Sequence, residues 1–242
     1  MVKYRTMDVI QRILDAVWPR RCEICSRPVD RPCRHICCDC LNRIPFVRPE
    51  DGIYDIPDAA SAVRFECETR QMVLDYKFNR HVWMRDDFVD WIEAAASSRF
   101  DLPAVDLVVP MPTTVRHRLD RGCNPCEILA SELARRIRRA CRRVLVRQGD
   151  FERQGGLDEE ARMENVKGTF AVRHPEFVRG RTVLVVDDIM TTGATLAETA
   201  KTLKEAGASR VWTEADCEFS VAGLRAAFAA KSTRISPRLT SF

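Results

Sequence analysis

No stretch of about 18 consecutive apolar residues occurs in the 242-residue sequence, so a membrane-spanning helix is not expected. The opening stretch, MVKYRTMDVIQRILDAVWPRR, has neither an uninterrupted apolar core nor a small-residue cleavage site, which argues against a secretory signal. Both absences lead to the expectation of a cytoplasmic protein with no membrane partner. The phosphate-binding pattern GxxxxGK followed by Ser or Thr is missing, since no lysine follows Gly193, and this disfavours an ATPase of that class. Excess charge is scarce: a net +4 at pH 7 is too small for electrostatics alone to establish a nucleic-acid partner. Internal repeats and low-complexity tracts are also lacking. What is present is 45% hydrophobic and 31% charged residues, enough for one full-sized globular domain and a small appendage.

Residues 7–18 carry Ile10, Ile13, Leu14, Val17 and Trp18 at helical spacing, and Pro19 closes the segment, so 1–20 is expected to hold an N-terminal docking helix. Residues 21–50 are rich in cysteine, arginine and proline and poor in core-forming side chains, so something other than apolar burial must hold them. From 55 to 215 short β-like runs alternate with helical stretches, the rhythm of an α/β domain. The expected elements are a strand at ASAVRFE, helices over Thr69–Phe78 and Val82–Ala96, a strand at 105–109 and a helix over Cys126–Ala140. Strands at Val144–Val146 and near Gly168–Val172 flank a polar loop at 149–165. The clearest unit is Thr182–Val186, a continuous β-branched run fit for a buried parallel strand, then a polar loop, a helix to Gly207 and a strand at Ser209–Thr213. Residues 216–242 form a C-terminal extension, with a helix expected at 221–230.

Six of the 11 cysteines fall between Cys22 and Cys40. In a reducing compartment such clustering points to metal rather than to disulfides. Cys22 and Cys25 form one CxxC, Cys37 and Cys40 a second, and four thiolates make a closed tetrahedral Zn2+ site with no open position. Metal binding would supply the folding free energy that the segment lacks, a structural role. Cys33, His35 and Cys38 lie in the same stretch and allow other ligand sets. Cys123 and Cys126 form a third CxxC with no partner pair.

The loop after the buried run, VLVVDDIMTTGATL at 183–196, carries the most chemistry. Asp187 and Asp188 are expected to stop the strand at its carboxyl end, where α/β proteins bind ligands. Thr191, Thr192, Gly193, Ala194 and Thr195 follow at a helix N-terminus and offer hydroxyls and close-approaching backbone, a cradle for phosphate. Carboxylates repel phosphate, so both fit one ligand only if it presents hydroxyls to the acids and phosphate to the loop. A ribose 5-phosphate does so, and Mg2+ can bridge its remaining oxygens.

Residues 183–196 resemble the phosphoribosyl pyrophosphate signature of type I phosphoribosyltransferases. The wider chain is similar to the competence protein F (ComF) family, through the ribbon cysteines, VVPMPTTVRHRLDRGCNPCEILASELA at 108–134, RQGDFERQGGLDEEARMENVKGTF at 147–170 and VLVVDDIMTTGAT. The resemblance implies an α/β phosphoribosyltransferase-like parallel sheet flanked by helices, with a small N-terminal zinc ribbon. It assigns Asp187 and Asp188 to the ribose hydroxyls, Thr191 to Thr195 to the 5′-phosphate, and the Pro110 to Thr113 loop, with Pro112 and Thr113, to pyrophosphate. Arg116, Arg118 and Arg121 resemble the mobile catalytic loop, with Gly122 as its hinge, where guanidinium groups would stabilise departing pyrophosphate. Gln154, Arg162 and Asn165 match a polar stretch of the family without a role that spacing can give.

Two departures matter. Thr191 stands where some enzymes acting on 6-oxopurines carry a carboxylate, and a hydroxyl cannot serve as a general base near neutral pH. Cys123 and Pro125 replace the family's usual aromatic and glutamine residues in the closing loop. The resemblance implies phosphoribosyl pyrophosphate and Mg2+ as ligands and a role in DNA uptake or natural transformation, with pyrophosphate displaced at C1 if the chain is a transferase. The alternative is a non-catalytic sensor of the donor that binds single-stranded DNA. ARRIRRACRRVLVR at 134–147 reads as a basic helical stripe that could follow a DNA backbone, or else as the solvated face of an amphipathic helix. Homodimerisation and a competence-machinery partner are the assembly alternatives.

Overall fold

The computed structural model describes residues 20–29, 33–47, 58–148, 168–190 and 193–218. The helices expected at 7–18 and 221–230, the loop at 149–165, and Thr191 and Thr192 lie outside the described residues. The chain divides into two units, Met1–Pro45 and Phe46–Phe242.

In the first unit, backbone N–H groups of Cys22, Ser26 and Val29 donate to Arg27, Cys22 and Arg20 carbonyls, each at 2.8 Å, and close a knuckle. Ser26 takes the left-handed φ of 59° that this turn requires. A single helical turn, α1 (Cys38–Leu41), follows the extended Cys37. Its buried apolar side chains among the described residues are Cys22, Val29, Ile36, Cys40 and Ile44. So small a set does not offset the chain entropy of ordering the segment.

The second unit runs β1 (Ala59–Arg64), α2 (Cys67–Phe78), α3 (Arg85–Arg99), β2 (Leu107–Pro110), α4 (Val115–Arg121), α5 (Pro125–Arg136), β3 (Ala140–Cys141), β4 (Leu145–Arg147), β5 (Phe170–Val172), β6 (Thr182–Met190), α6 (Ala194–Glu205) and β7 (Arg210–Glu218). Five strands form a parallel sheet in the order β1-β7-β6-β2-β3. Leu107, Val109, Val183, Val185 and Val211 of the sheet share one buried cluster with Leu196 and Leu203 of α6. This is the helix-flanked parallel sheet expected from the sequence. From β2 the chain winds through α5 to β3, and from β6 through α6 to β7 on the opposite side. The winding therefore reverses between β2 and β6, and such a reversal opens a crevice beyond the carboxyl ends of the two strands.

Four local expectations are corrected or refined. The acids do not stop the strand: β6 continues to Met190 because β7 continues beside it, pairing Asp187 with Ala215 and Ile189 with Cys217. The helix expected to reach Ala140 ends at Arg136, where Ile137 caps it, Arg138 takes a φ of 56°, and Ala140 and Cys141 pair with β2 instead. Leu145–Arg147 leaves the parallel sheet and pairs antiparallel with β5. The segment expected as one helix over Val82–Ala96 starts with a 3-10 turn at Val82–Met84 before α3.

Leu184 in β6 is fully buried. Leu184→Ala should lower unfolding free energy by about 3 kcal/mol, the usual cost of a large-to-small change in a packed core; urea titration with a loss below about 1 kcal/mol would show that the centre of the sheet is not packed as described.

Candidate functional site

In the first unit, the sulfurs of Cys22, Cys25, Cys37 and Cys40 lie within 4.8 Å of one another, and Cys25 and Cys37 Sγ stand 3.6 Å apart. Tetrahedral zinc with Zn–S bonds of about 2.3 Å needs sulfurs about 3.8 Å apart, so the cluster fits one Zn2+. A tetrathiolate is electron-rich, and its surroundings compensate. Arg27 Nε donates to Cys25 Sγ at 3.4 Å, Arg43 Nη2 to Cys40 Sγ at 3.4 Å, and the Cys37 backbone N–H to Cys22 Sγ at 3.3 Å. The Arg27 guanidinium holds the Cys25 thiol down to about 6, ready to ligate, whereas burial pushes Cys40 up to about 12. Cys33 and Cys38 pair with each other, Sγ to Sγ at 2.6 Å, and stay outside the set. The choice among the alternative ligand sets is thereby narrowed to the two CxxC pairs.

In the second unit, β2 and β6 bring two short segments side by side at the winding reversal. Pro110 lies opposite Val186, and the Met111 N–H donates to the Val186 carbonyl at 2.8 Å. Pro112 and Thr113, both half-buried, thus begin beside Asp187 and Asp188. The acids are 7% and 4% exposed, too buried to remain charged without compensation. Asp187 Oδ1 accepts from the Asp188 N–H at 2.8 Å and from the Cys126 thiol at 3.3 Å. Lys77 Nζ donates to Asp188 Oδ1 at 2.7 Å from the last turn of α2. Burial raises the Cys126 thiol well above its ordinary value, and the two acids raise it further, so it remains a donor.

Gly193 precedes α6 with φ 73°, a left-handed backbone that glycine adopts without a side-chain penalty, and Ala194 and Thr195 form the half-buried first turn. The three arginines do not sit on an open loop. Arg116, Arg118 and Arg121 lie on α4, which Thr114 caps by accepting the His117 N–H at 3.2 Å and which ends at Gly122 with φ 76°. α4 has no buried residue, so little packing holds it in place. The Arg121 guanidinium stands over the Phe78 ring at 4.5 Å. Beyond α4, buried Asn124 fastens the chain to β2 by donating to the Met111 carbonyl at 2.9 Å, and it caps α5 through the Cys126 N–H.

Lys77, Cys126 and Asn124 are the members of this site that the sequence did not single out for it. Cys126 was visible only as half of an unpartnered CxxC, and no local pattern marks Lys77, 111 residues from Asp188. The basic stripe expected over 134–147 does not form. Arg136, with a side chain 16% exposed, is bonded to Asp90, Glu93 and Glu132. Arg139 donates to the Pro103 carbonyl, Arg142 covers the Phe177 ring, and Arg143 pairs with Glu127.

Residues 121–215 match the phosphoribosyl transferase domain family. The helix-flanked parallel sheet and this match give a phosphoribosyltransferase-like fold, preceded in the chain by a cysteine cluster that fits a small zinc ribbon. The chain is a homologue of the DNA utilization protein YhgH of Escherichia coli K12, 32% identical over 123 residues that make up 50% of this chain and 52% of that protein. Competence protein F of Haemophilus influenzae is 27% identical over 146 residues, 58% of this chain and 63% of that one. These relatives bear out the resemblance to the competence protein F family, and the chain spans about half the length of the YhgH proteins it matches. Among solved structures, adenine phosphoribosyltransferase from Saccharomyces cerevisiae aligns with a TM-score of 0.38 at 16% identity, over 68% of this chain and 81% of that one.

Burial first and the neighbouring Asp188 charge second push Asp187 up to about 6, with Lys77 opposing. The folded chain therefore binds this proton more tightly than the unfolded chain. The associated stabilisation is complete below the ordinary value of 3.8 and is lost as pH rises through about 6. Thermal melts across pH should show wild type losing stability relative to Asp187→Asn between about pH 4 and pH 6. A stability difference between the two that stays constant over this window would contradict the buried, proton-holding carboxylate.

Proposed function

We propose that this chain binds phosphoribosyl pyrophosphate with Mg2+ in the crevice between β2 and β6, carries one structural Zn2+ on Cys22, Cys25, Cys37 and Cys40, and acts in the handling of DNA during uptake. The observation that carries the donor reading is the juxtaposition of Asp187 and Asp188 with the Pro110–Thr113 segment at the point where the sheet's winding reverses. Ligands bearing hydroxyls suit the buried carboxylates, which accept hydrogen bonds. Phosphates suit the backbone at Gly193, Ala194 and Thr195 on the N-terminus of α6. Pyrophosphate belongs beside Pro112 and Thr113, with Arg116, Arg118 and Arg121 on the loosely held α4 to close over it. Mg2+, bound with the donor, would neutralise charge on the pyrophosphate oxygens. The DNA role rests on the names of the homologues, which speak of DNA utilization and competence.

A second reading keeps the donor site and makes it a sensor. The Lys77–Asp188 ion pair favours it, since one of the two acids is already satisfied without a ligand. Phosphorus NMR of the chain with Mg2+, phosphoribosyl pyrophosphate and a panel of nitrogen bases separates the readings. Donor signals should broaden or shift with wild type and not with the Asp187→Asn, Asp188→Asn double variant. Pyrophosphate release with one acceptor identifies a transferase, and binding without release identifies a sensor. Unchanged donor signals with wild type would remove both.

Metal analysis of the purified chain should find about one Zn2+ per chain, and Cys22→Ser should lose both the metal and the fold of the N-terminal unit. A metal-free chain whose N-terminal unit resists proteolysis as well as the zinc-loaded one would refute the ribbon.

A further inference from the structure

Lys77 reaches the acid pair from a part of the fold that contributes none of the donor loops. It sits one residue before the end of α2, and its ammonium and the Asp188 carboxylate are 2.7 Å apart with side chains only 16% and 6% exposed. The ligand atoms of Cys126, Asp187 and Asp188 lie within 4.8 Å of one another, a spacing that suits a bound cation. A monovalent cation belonging to the chain itself therefore stands at the carboxylates that a divalent cation would seek. The groups facing it are the two carboxylates and the Cys126 thiol, which donates to Asp187. An ammonium on a four-carbon arm can hold one carboxylate oxygen and move away without disturbing the helix that carries it.

We propose that Lys77 is a resident countercation that holds Asp188 in the donor-free site and keeps divalent cations off the acid pair until the donor arrives. This rests on the donor reading above and adds an order of loading to it. In the empty crevice Lys77 offsets the charge of Asp188, and a divalent ion approaching the same oxygens meets a positive neighbour in a poorly solvated place. An incoming polyphosphate offers the ammonium a competing anion. As Lys77 turns to it, Asp188 is released to the donor's hydroxyls and its cation. Donor and cation then bind as one unit, and the bare ion binds poorly. Lys77 is on this account a positioning residue, acting through Asp188.

Manganese is the probe, since free Mn2+ is counted directly by electron paramagnetic resonance. The full zinc-loaded chain is titrated with Mn2+ in the absence of donor, as wild type, Lys77→Gln, Lys77→Met and Lys77→Arg. The two neutral variants should bind Mn2+ about tenfold or more tightly than wild type, because a positive charge within a few ångströms of the ion has gone. Lys77→Arg should bind as weakly as wild type, and adding Asp188→Asn to Lys77→Gln should abolish the gain. Lys77→Met keeps the apolar bulk of the arm, so a folding defect confined to Lys77→Gln does not decide the result. Neutral variants that fold, by circular dichroism, and bind Mn2+ no better than wild type would overturn the proposal, as would failure of both to fold, which would make Lys77 a structural tie. Phosphoribosyl pyrophosphate is added last. Wild type should then take up Mn2+ about as tightly as the neutral variants do. A wild type that ignores the donor would remove the donor reading, while the donor-free comparison still decides the role of Lys77.

Discussion

Two adjacent carboxylates inside a buried strand are the constraint around which the second unit is arranged. A carboxylate nine-tenths out of water is tolerated only when donors or countercharges replace the lost hydration. Here each acid draws on a different helix: Asp187 on the Cys126 thiol at the start of α5, Asp188 on the Lys77 ammonium at the end of α2. Both helices are thereby registered against β6 at the same level. Asn124, just before α5, adds a third tie by bonding the Met111 carbonyl beyond β2. The crevice walls are thus held by polar contacts at its rim, over a floor of valines in β2 and β6 whose burial provides the larger, non-directional part of the stability.

What was legible in the sequence follows from how local each signal is. The β-branched run before Asp187 announces a buried parallel strand because both faces of such a strand lose water. The two CxxC pairs announce their own convergence, since each knuckle aims two sulfurs at one point. The sequence misleads where a local rule meets a neighbour elsewhere in the chain. Acidic residues usually close a strand, yet β7 supplies pairing partners past Asp187, and the backbone continues. The arginines after Arg136 look like a helical stripe only while the helix is assumed to continue. Once Ala140 and Cys141 join the sheet edge, Arg139, Arg142 and Arg143 turn to separate partners, the Pro103 carbonyl, the Phe177 ring and Glu127. Lys77 was invisible for a simpler reason, because an ion pair across more than a hundred residues leaves no trace in spacing.

The first unit solves a different problem. Its few buried apolar side chains cannot order the segment by burial, so the free energy has to come from ligation, and ligation by four thiolates concentrates negative charge in a small volume. Arg27 and Arg43 answer that charge with hydrogen bonds to two of the sulfurs, and a backbone N–H answers it at a third. The abundance of arginine in 21–50 therefore has in part an internal cause. Two of those guanidinium groups are directed at the sulfur cluster.

The arginines of α4 stand in a contrasting situation. A seven-residue helix with no buried side chain has almost nothing to lose by shifting, and its ends are fixed by different means. Thr114 caps one end, while at the other a left-handed Gly122 leads to the anchored Asn124. Beyond the C-terminal end of α4 the chain is tied to the segment that follows β2 by the Asn124–Met111 bond, which bounds any movement of the helix. Arg121 rests on the ring of Phe78, the residue after Lys77, so the cation at the acid pair and one cation of α4 meet the same end of α2. Drawing Arg121 onto a polyphosphate would uncover a ring that is already 54% exposed, at small hydrophobic cost. A weak cation–π contact would give up Arg121 at little cost under the proposed closure, just as a single flexible ion pair would give up Lys77 under the proposed exchange.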